Sequence, residues 1–237
     1  MQAVSFDLYE TLVTHFDPAW APPATTIAQR LGLDERTWAD SWRRFDSAWQ
    51  SGEIATYAEA LSAMCASAGR RSYPEVLRQL EQEYQHQTQQ VFDAIEQDIV
   101  DLVVTLKQRG LKLGIITNAS DLDVAPWATC HLASYFDDIA SCQVGLLKRD
   151  AQIFCLACQR LGVEPADAIF VGDGGGNELA ASMAVLKGYW CTWFLDRWPE
   201  GIRPNGFPGD AWRQHAGVQS PFERVQRPSD LLSTYDE

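Results

Sequence analysis

The sequence predicts an α/β protein in which a doubly wound parallel sheet carries a small α-helical domain. A short apolar run at residues 4–6 has the character of a buried strand and ends in Asp7. Residues 15–92 then show helical periodicity throughout, without strand-like alternation. From residue 93 onward short apolar runs alternate with helical segments, which is the pattern of right-handed βαβ units in a parallel sheet.

The helical segment predicts a separate four-helix bundle over residues 15–92. Its first helix should follow Pro22 and Pro23 and end at Gly32, and Asp34, Thr56 and Pro74 should begin the next three. Aromatic residues recur at helical spacing along the second helix: Trp38, Trp42, Phe45 and Trp49. We interpret this stripe as a packing face rather than a platform for an aromatic ligand. The second domain then consists of residues 1–14 and 93–237.

The remaining chain predicts the rest of the sheet. An amphipathic helix over residues 99–106 stops at Gly110, and a further strand is expected near residue 139. The clearer strands lie at residues 113–116, 168–171 and 189–194, and the helices between them at residues 122–131 and 151–161. Prolines and glycines beyond Asp196 indicate an irregular segment before an edge strand at Val225 and a last helix beginning at Pro228.

Charge and composition exclude several classes of partner. A formal charge of −13 without a Lys/Arg cluster argues against nucleic acid and anionic membranes, so an anionic small molecule would need locally placed cations. No apolar run approaches the roughly 18 residues of a membrane span, and the N-terminus lacks signal-peptide features, so we expect a cytoplasmic protein. The lone CxxC of Cys155 and Cys158 lies in a helical pattern and is not expected to bind zinc or act in redox chemistry.

Polar residues follow four successive apolar runs of the predicted sheet domain. These residues are Asp7 with Thr11, Thr117 with Asn118, Lys148, and Asp173 with Glu178. Taken singly, Asp7 could cap a turn and Lys148 could be a solvated surface lysine. Ligands of open α/β sheets bind at the carboxyl ends of the strands, so the common placement predicts one site at this edge.

In this order the four groups resemble the motifs of the haloacid dehalogenase superfamily, whose members are mostly phosphohydrolases. The stretch from Phe170 to Asp173, followed by Glu178, is the most specific part of the resemblance. The segment after Lys148 supports it, although family members commonly carry proline where Arg149 stands. The helical segment matches the cap domain of that family, so the resemblance covers nearly the whole chain.

The resemblance implies a set of roles. Asp7 would attack phosphorus and form an aspartyl-phosphate, while Thr117 and Lys148 would hold phosphate oxygens. Asp7, the carbonyl of Tyr9 and Asp173 would bind Mg²⁺, with Glu178 supporting the metal shell. Thr11 and Asn118 complete the expected catalytic set. The implied substrate is a small phosphorylated metabolite.

Tyr9 departs from the phosphatase pattern. Family phosphatases usually carry there a second aspartate that protonates the leaving group, a contribution worth about 10²–10⁴ in rate. Tyrosine at this position resembles the 2-haloacid dehalogenases, which need neither that acid nor a metal. Their fourth motif differs from the one containing Asp173 and Glu178, and Arg30, Arg36, Arg43 and Arg44 give no persuasive counterpart of their halide-handling arginine. A dehalogenase and a weakly active ligand-binding member are therefore the alternatives.

Overall fold

The chain forms one parallel six-stranded sheet in the order β3-β2-β1-β4-β5-β6. A computed structural model describes residues 1–16, 25–174, 178, 182, 184–198 and 223–234. The strands are β1 (Ala3–Phe6), β2 (Lys112–Ile116), β3 (Asp138–Ala140), β4 (Ala168–Gly172), β5 (Lys187–Cys191) and β6 (Glu223–Val225). Because β1 pairs with β2 on one side and with β4 on the other, strand order reverses at β1, and the predicted fold class is confirmed.

The described helices divide into a group between β1 and β2 and a group that alternates with the strands. They are α1 (Ile27–Arg30), α2 (Glu35–Gln50), α3 (Tyr57–Ser67), α4 (Pro74–Asp93), α5 (Gln97–Gln108), α6 (Asp121–Val124), α7 (Ala151–Leu161) and α8 (Pro228–Ser233). We call α1 to α4, residues 25–93, the helical insert. None of the described helices combines the length and the hydropathy of a membrane span.

Local chemistry begins the helices of the insert where the sequence predicts. The Asp34 carboxylate accepts a hydrogen bond from the Thr37 amide at the start of α2, and Thr56 forms a capping box with Glu59 at the start of α3. Pro74 occupies the first turn of α4, where its missing N–H is not needed. The insert packs around its own apolar cluster, which includes the fully buried Leu61 and Met64.

The end of α4 packs against the sheet rather than in the apolar cluster of the insert. Val91 and Phe92 are buried in the apolar cluster that covers one face of the sheet, together with Trp127. The Phe92 ring meets the Trp127 ring edge-on at 6.2 Å between centroids. A second cluster, which contains Phe154 and Phe170, covers the opposite face. The sheet is therefore buried on both sides, as parallel sheets are.

Three predicted elements differ in extent. The helix expected over residues 122–131 is the short α6 followed by a 3-10 helix, Ala125–Thr129, because Pro126 has no N–H for an α-helical hydrogen bond. The last main strand ends at Cys191 rather than at residue 194. Phe194 lies in the turn after the strand, where its apolar side chain is still buried. The first insert helix spans only Ile27–Arg30. Pro22, Pro23, most of the segment after Asp173 and residues 199–222 lie outside the described residues.

Candidate active site

A cleft of about 540 Å³ lies where the carboxyl ends of β1, β2 and β4 face helix α2 of the insert. Seven of the predicted site residues line this cleft: Asp7, Tyr9, Thr117, Asn118, Lys148, Asp173 and Glu178. Thr11 does not line it. The Thr11 side chain is fully buried behind the first turn, with its hydroxyl 3.4 Å from the Cys191 sulfur. The structure therefore gives Thr11 a packing position.

Asp7 is held at the floor of the cleft by contacts of both its backbone and its carboxylate. Its backbone N–H donates to the Val171 carbonyl of β4, and its Oδ1 accepts from the Leu8 amide at 2.7 Å. The same Oδ1 lies 2.5 Å from the ammonium of Lys148. Burial raises the pKa of Asp7, and the opposing effects of Lys148 and the Leu8 amide do not cancel that rise.

Lys148 is a buried cation between two carboxylates and is not a solvated surface lysine. Only 8% of its side chain is exposed, and its ammonium is ion-paired with both Asp7 and Glu178. Burial lowers the pKa of Lys148, but Asp7, Glu178 and Asp173 outweigh that effect and raise it above its usual range. The Asn118 side chain accepts a hydrogen bond from the Lys148 amide at 2.7 Å, and so positions the backbone of this loop.

Three carboxylates form an oxygen cluster beside the Lys148 ammonium. One oxygen from each of Asp7, Asp173 and Glu178 lies within 4.8 Å of the other two. Glu178 accepts from the Gly174 amide through Oε1, and its buried Oε2 is the oxygen that pairs with the Lys148 ammonium. Burial raises the pKa of Glu178 well above its usual range, and the charges of Asp7 and Asp173 add to the rise against the opposing Lys148.

This oxygen cluster fits a small divalent cation. Hard carboxylate oxygens suit Mg²⁺, and their separation requires only small side-chain movements for one ion to contact all three. Three carboxylates beside a single buried ammonium leave an excess of negative charge, which a divalent ion would neutralise.

Tyr9 is engaged at both ends. Its hydroxyl donates to the Asp123 carbonyl at 2.9 Å, and its ring stacks on His15 with 4.2 Å between centroids. Burial, followed by the charges of Asp123 and Glu10, raises the pKa of the Tyr9 phenol above its usual range. The phenol therefore stays protonated, and its proton is donated to the Asp123 carbonyl.

The insert contributes aromatic and polar side chains to the opposite wall. Trp42 and Trp49 of the predicted packing stripe line the cleft, and Trp49 is also buried in the core of the insert. The Tyr84 hydroxyl donates to the buried Asp123 carboxylate at 2.5 Å, which ties α4 to α6. Arg149 reaches from the opposite side and donates to the Ser47 hydroxyl of α2 at 3.2 Å.

Sequence reasoning missed several residues of this wall. Arg149 was visible only as a departure from the family proline, and no motif marked Asp46. Glu10 lines the cleft with a left-handed backbone (φ 57°), and its carboxylate accepts from the Thr14 hydroxyl and the His15 amide. The available signal was Glu10 followed closely by Thr14 and His15, because these two residues hydrogen-bond the Glu10 carboxylate and hold the strained turn in place.

The family model of the haloacid dehalogenase-like hydrolases matches residues 1–184 of the chain. The chain belongs to this family. Its match with the putative pyrophosphatase PpaX of Clostridium perfringens is 34% identical over 141 residues, 58% of this chain and 59% of that protein. The match with the (S)-2-haloacid dehalogenase of Pseudomonas putida is 27% identical over 191 residues, 77% of this chain and 80% of that protein.

Other relatives in this family share a smaller part of their length. Rat bifunctional epoxide hydrolase 2 is 30% identical over 90 residues, which are 35% of this chain but 16% of that protein. Among solved structures, the phosphatase from Thermococcus onnurineus matches with a TM-score of 0.62 at 20% identity, covering 99% of this chain and 98% of that one. The 2-haloacid dehalogenase from Pseudomonas syringae matches with a TM-score of 0.66 at 21% identity, covering 100% and 98%.

The family relatives thus include both phosphatases and dehalogenases. At these identities the solved structures show the shared fold, and the choice of reaction rests on the residues of the cleft.

Proposed function

We propose that the chain is a Mg²⁺-dependent phosphatase of a small phosphorylated metabolite, with Asp7 as its nucleophile. The observation that carries the proposal is the arrangement of Asp7, Asp173 and Glu178 around the Lys148 ammonium. A metal-free dehalogenase has little use for Asp173 and Glu178. Burial raises the pKa of Glu178, and the charges of Asp7 and Asp173 add to that rise. A phosphatase uses the same carboxylates to hold a divalent ion.

In this proposal Asp7 performs the chemistry in two steps. A carboxylate oxygen of Asp7 attacks phosphorus, the P–O bond to the alcohol breaks, and the alcohol oxygen takes the electron pair. Water then attacks phosphorus of the aspartyl-phosphate, which returns the Asp7 carboxylate and releases inorganic phosphate. Asp7, Asp173, Glu178 and the Tyr9 carbonyl would hold Mg²⁺, which would supply charge stabilisation for the phosphoryl oxygens.

Other residues of the cleft orient the phosphoryl group. Lys148 is close enough to Asp7 to contact an oxygen on the attacked phosphorus, and it remains charged because of its carboxylate neighbours. Thr117 is buried at the end of β2 and lines the cleft, while its Oγ1 accepts from the Ala119 amide. That bond leaves the Thr117 hydroxyl proton available to a phosphate oxygen.

The leaving group receives no proton from Tyr9 in this mechanism, because the phenol donates to the Asp123 carbonyl. The departing oxygen must carry its charge or take a proton from water. The rate should therefore rise steeply as the pKa of the leaving alcohol falls.

The deciding experiment measures hydrolysis of aryl phosphates of graded leaving-group pKa, with Mg²⁺ and with a chelator. We expect turnover with Mg²⁺, none with chelator, and faster hydrolysis of esters with more acidic leaving groups. Tyr9→Asp should raise the rate on alkyl phosphates more than on aryl phosphates, because it restores a carboxylic acid. Tyr9→Phe serves as the control, since it removes the bond to Asp123 without adding an acid.

The second candidate is a 2-haloacid dehalogenase, which Tyr9 favours because halide leaves without a proton. In that case Asp7 would attack carbon and the same cleft would bind the carboxylate of the haloacid. Release of halide from 2-haloacids that is unaffected by chelator, together with no phosphatase activity in wild type or Tyr9→Asp, would replace the phosphatase proposal with this one.

A further inference from the structure

Arg149 crosses the seam between the sheet and the insert at the side of the cleft. It follows Lys148 directly, so consecutive residues place one cation at the Asp7 carboxylate and the next on the cleft wall. Its Nη1 donates to the Ser47 hydroxyl of α2 at 3.2 Å, and the residue is exposed. A guanidinium has five N–H donors, and a neutral hydroxyl uses only one of them.

Arg149 differs from Arg43 and Arg78 in its ion pairing. Arg43 and Arg78 are each ion-paired with an acidic neighbour on their own helix. Arg149, in contrast, has no carboxylate within ion-pair distance among the described residues. Asp46 lines the same cleft, and its two carboxylate oxygens both accept from the Gln50 side chain at 2.9 Å. Burial raises the pKa of Asp46, and the Gln50 hydrogen bond and the Arg149 charge lower it only in part.

The position of Arg149 relative to Lys148 defines what it can bind. A phosphate that lies against Asp7 and Lys148 directs the rest of a small ester toward the insert wall, where Trp42 and Trp49 lie. Besides Lys148, the cleft is lined by Arg149 and His15 as basic residues within the described part of the chain. A guanidinium recognises a planar carboxylate through two parallel hydrogen bonds, which an ammonium cannot do.

We propose that Arg149 is a specificity-determining residue that selects phosphomonoesters carrying a carboxylate on their alcohol part. This inference rests on the proposed phosphatase function and narrows its substrate class. The Arg149 side chain binds the distal carboxylate, so it acts on substrate binding and leaves the reacting atoms untouched.

The test uses two aryl phosphates of matched leaving-group pKa, 4-(carboxymethyl)phenyl phosphate and its neutral amide, 4-(carbamoylmethyl)phenyl phosphate. We expect wild-type enzyme with Mg²⁺ to have a kcat/KM at least about tenfold higher for the acid, mainly through a lower KM, as a charged hydrogen bond provides. Arg149→Gln should abolish the preference by raising KM for the acid, with a much smaller effect on the amide. Arg149→Lys should keep part of it.

Two control variants separate recognition from structure. Ser47→Ala removes the described hydrogen bond to Arg149 and should keep the preference for the acid. Arg36→Gln makes the same charge change on α2 outside the cleft, where the side chain is 92% exposed, and should change neither ester. A preference that survives Arg149→Gln, or an equal loss on both esters, would overturn the proposal and leave Arg149 a structural link.

A separate readout distinguishes failure of this proposal from failure of the phosphatase assignment. If wild type hydrolyses neither ester with Mg²⁺, the phosphatase assignment is overturned. Calorimetric binding of 4-(carboxymethyl)phenylphosphonate and its amide then tests Arg149 without turnover. Tighter binding of the acid that is lost in Arg149→Gln supports the role of Arg149, and equal binding of the two compounds overturns it.

Discussion

At the scale of single residues, charge crowding dominates the candidate site. Asp7, Asp173 and Glu178 surround one buried ammonium, and burial raises the pKa of both Asp7 and Glu178. Removing one partner from a buried ionic group is costly unless the remaining charges can rebalance. Lys148 keeps Glu178 as a partner when Asp7 loses its charge, so the fold should tolerate a neutral substitution at Asp7.

We expect Asp7→Asn to lower kcat on an aryl phosphate by more than about 10³-fold, because the amide cannot act as a nucleophile. The melting temperature should remain close to that of wild type. Asp40→Asn, which changes an exposed carboxylate of α2, is the control and should keep full activity. A rate above about a tenth of wild type would remove Asp7 from its proposed role.

Gly172 controls the position of Glu178 from the last residue of β4. A Cβ at Gly172 would overlap the Glu178 carboxylate and come within 2.8 Å of the Phe170 ring. We expect Gly172→Ala to displace Glu178 and raise the Mg²⁺ concentration for half-maximal activity about tenfold or more. Overpacking should also lower stability by about 1–3 kcal/mol.

Gly114→Ala is the matched control for that variant. Gly114 lies on β2 and does not line the cleft. A Cβ at Gly114 would come within 3.0 Å of the Leu161 and Ser5 side chains. The substitution should lower stability without changing the Mg²⁺ requirement. If both variants shift the Mg²⁺ requirement equally, the effect comes from general destabilisation and Glu178 does not support a metal ion.

At the scale of elements, Asp137 joins α5 to the sheet just before β3. Its Oδ2 accepts from the Lys107 ammonium at 2.6 Å and from the Leu113 amide at 2.8 Å. Burial raises the pKa of Asp137, but these two hydrogen bonds outweigh it and lower the pKa below its usual value. A lowered folded-state pKa contributes stability above the unfolded-state pKa of about 3.9, and this contribution is lost as the pH falls through the folded-state pKa.

Asp137→Asn should therefore reduce the free energy of unfolding at neutral pH, and its difference from wild type should shrink as the pH falls below about 4. Urea unfolding of both proteins between about pH 3 and pH 7 measures this difference. Asp101→Asn on α5, whose carboxylate accepts from Gln97 on the same helix, is the control. A difference that is constant down to pH 3 would show that the Asp137 charge does not stabilise the junction.

At the scale of the whole molecule, the helical insert has its own core and shares its last turn with the sheet. Leu61 and Met64 pack within the insert, whereas Val91 and Phe92 pack with Trp127 against the sheet. The Tyr84 bond to Asp123 and the Arg149 bond to Ser47 are further links across the seam. We expect an insert built this way to act as a cap that excludes water from the cleft.

We expect replacement of residues 25–88 by a flexible linker to leave a folded sheet domain, because the insert cluster leaves as a unit and Val91 and Phe92 remain. This protein should hydrolyse aryl phosphates without the selectivity of wild type. Replacement of residues 15–92, which removes Phe92, should give a lower melting temperature. Circular dichroism and substrate profiles compare the two shortened proteins with wild type. If the protein with residues 25–88 replaced fails to fold, the insert is not an independent unit.

Helix starts, buried strands and the four polar groups were predictable because each depends on short-range chemistry. Asp34 and Thr56 cap helices through hydrogen bonds to amides three residues later in the chain. The apolar run of β4 predicts a buried strand without knowledge of the neighbouring strands. The end of the α-helix before Pro126 was also predictable, since proline lacks the N–H that an α-helix needs. The helical spacing of apolar residues over 122–131 favoured one continuous helix instead. Thr11 could not be separated from the site, because its motif position says nothing about which way the hydroxyl faces.

The sequence by itself determined the sheet class, the helical segment after β1 and the residue types of the candidate site, since these follow from periodicity, capping and motif spacing. Only the tertiary structure decided that Trp42 and Trp49 line the cleft while packing the insert, that Tyr9 donates to Asp123, and that Arg149 meets Ser47. These contacts join residues distant in the chain, and their geometry depends on how the insert packs over the sheet. Local patterns carry no information about that packing.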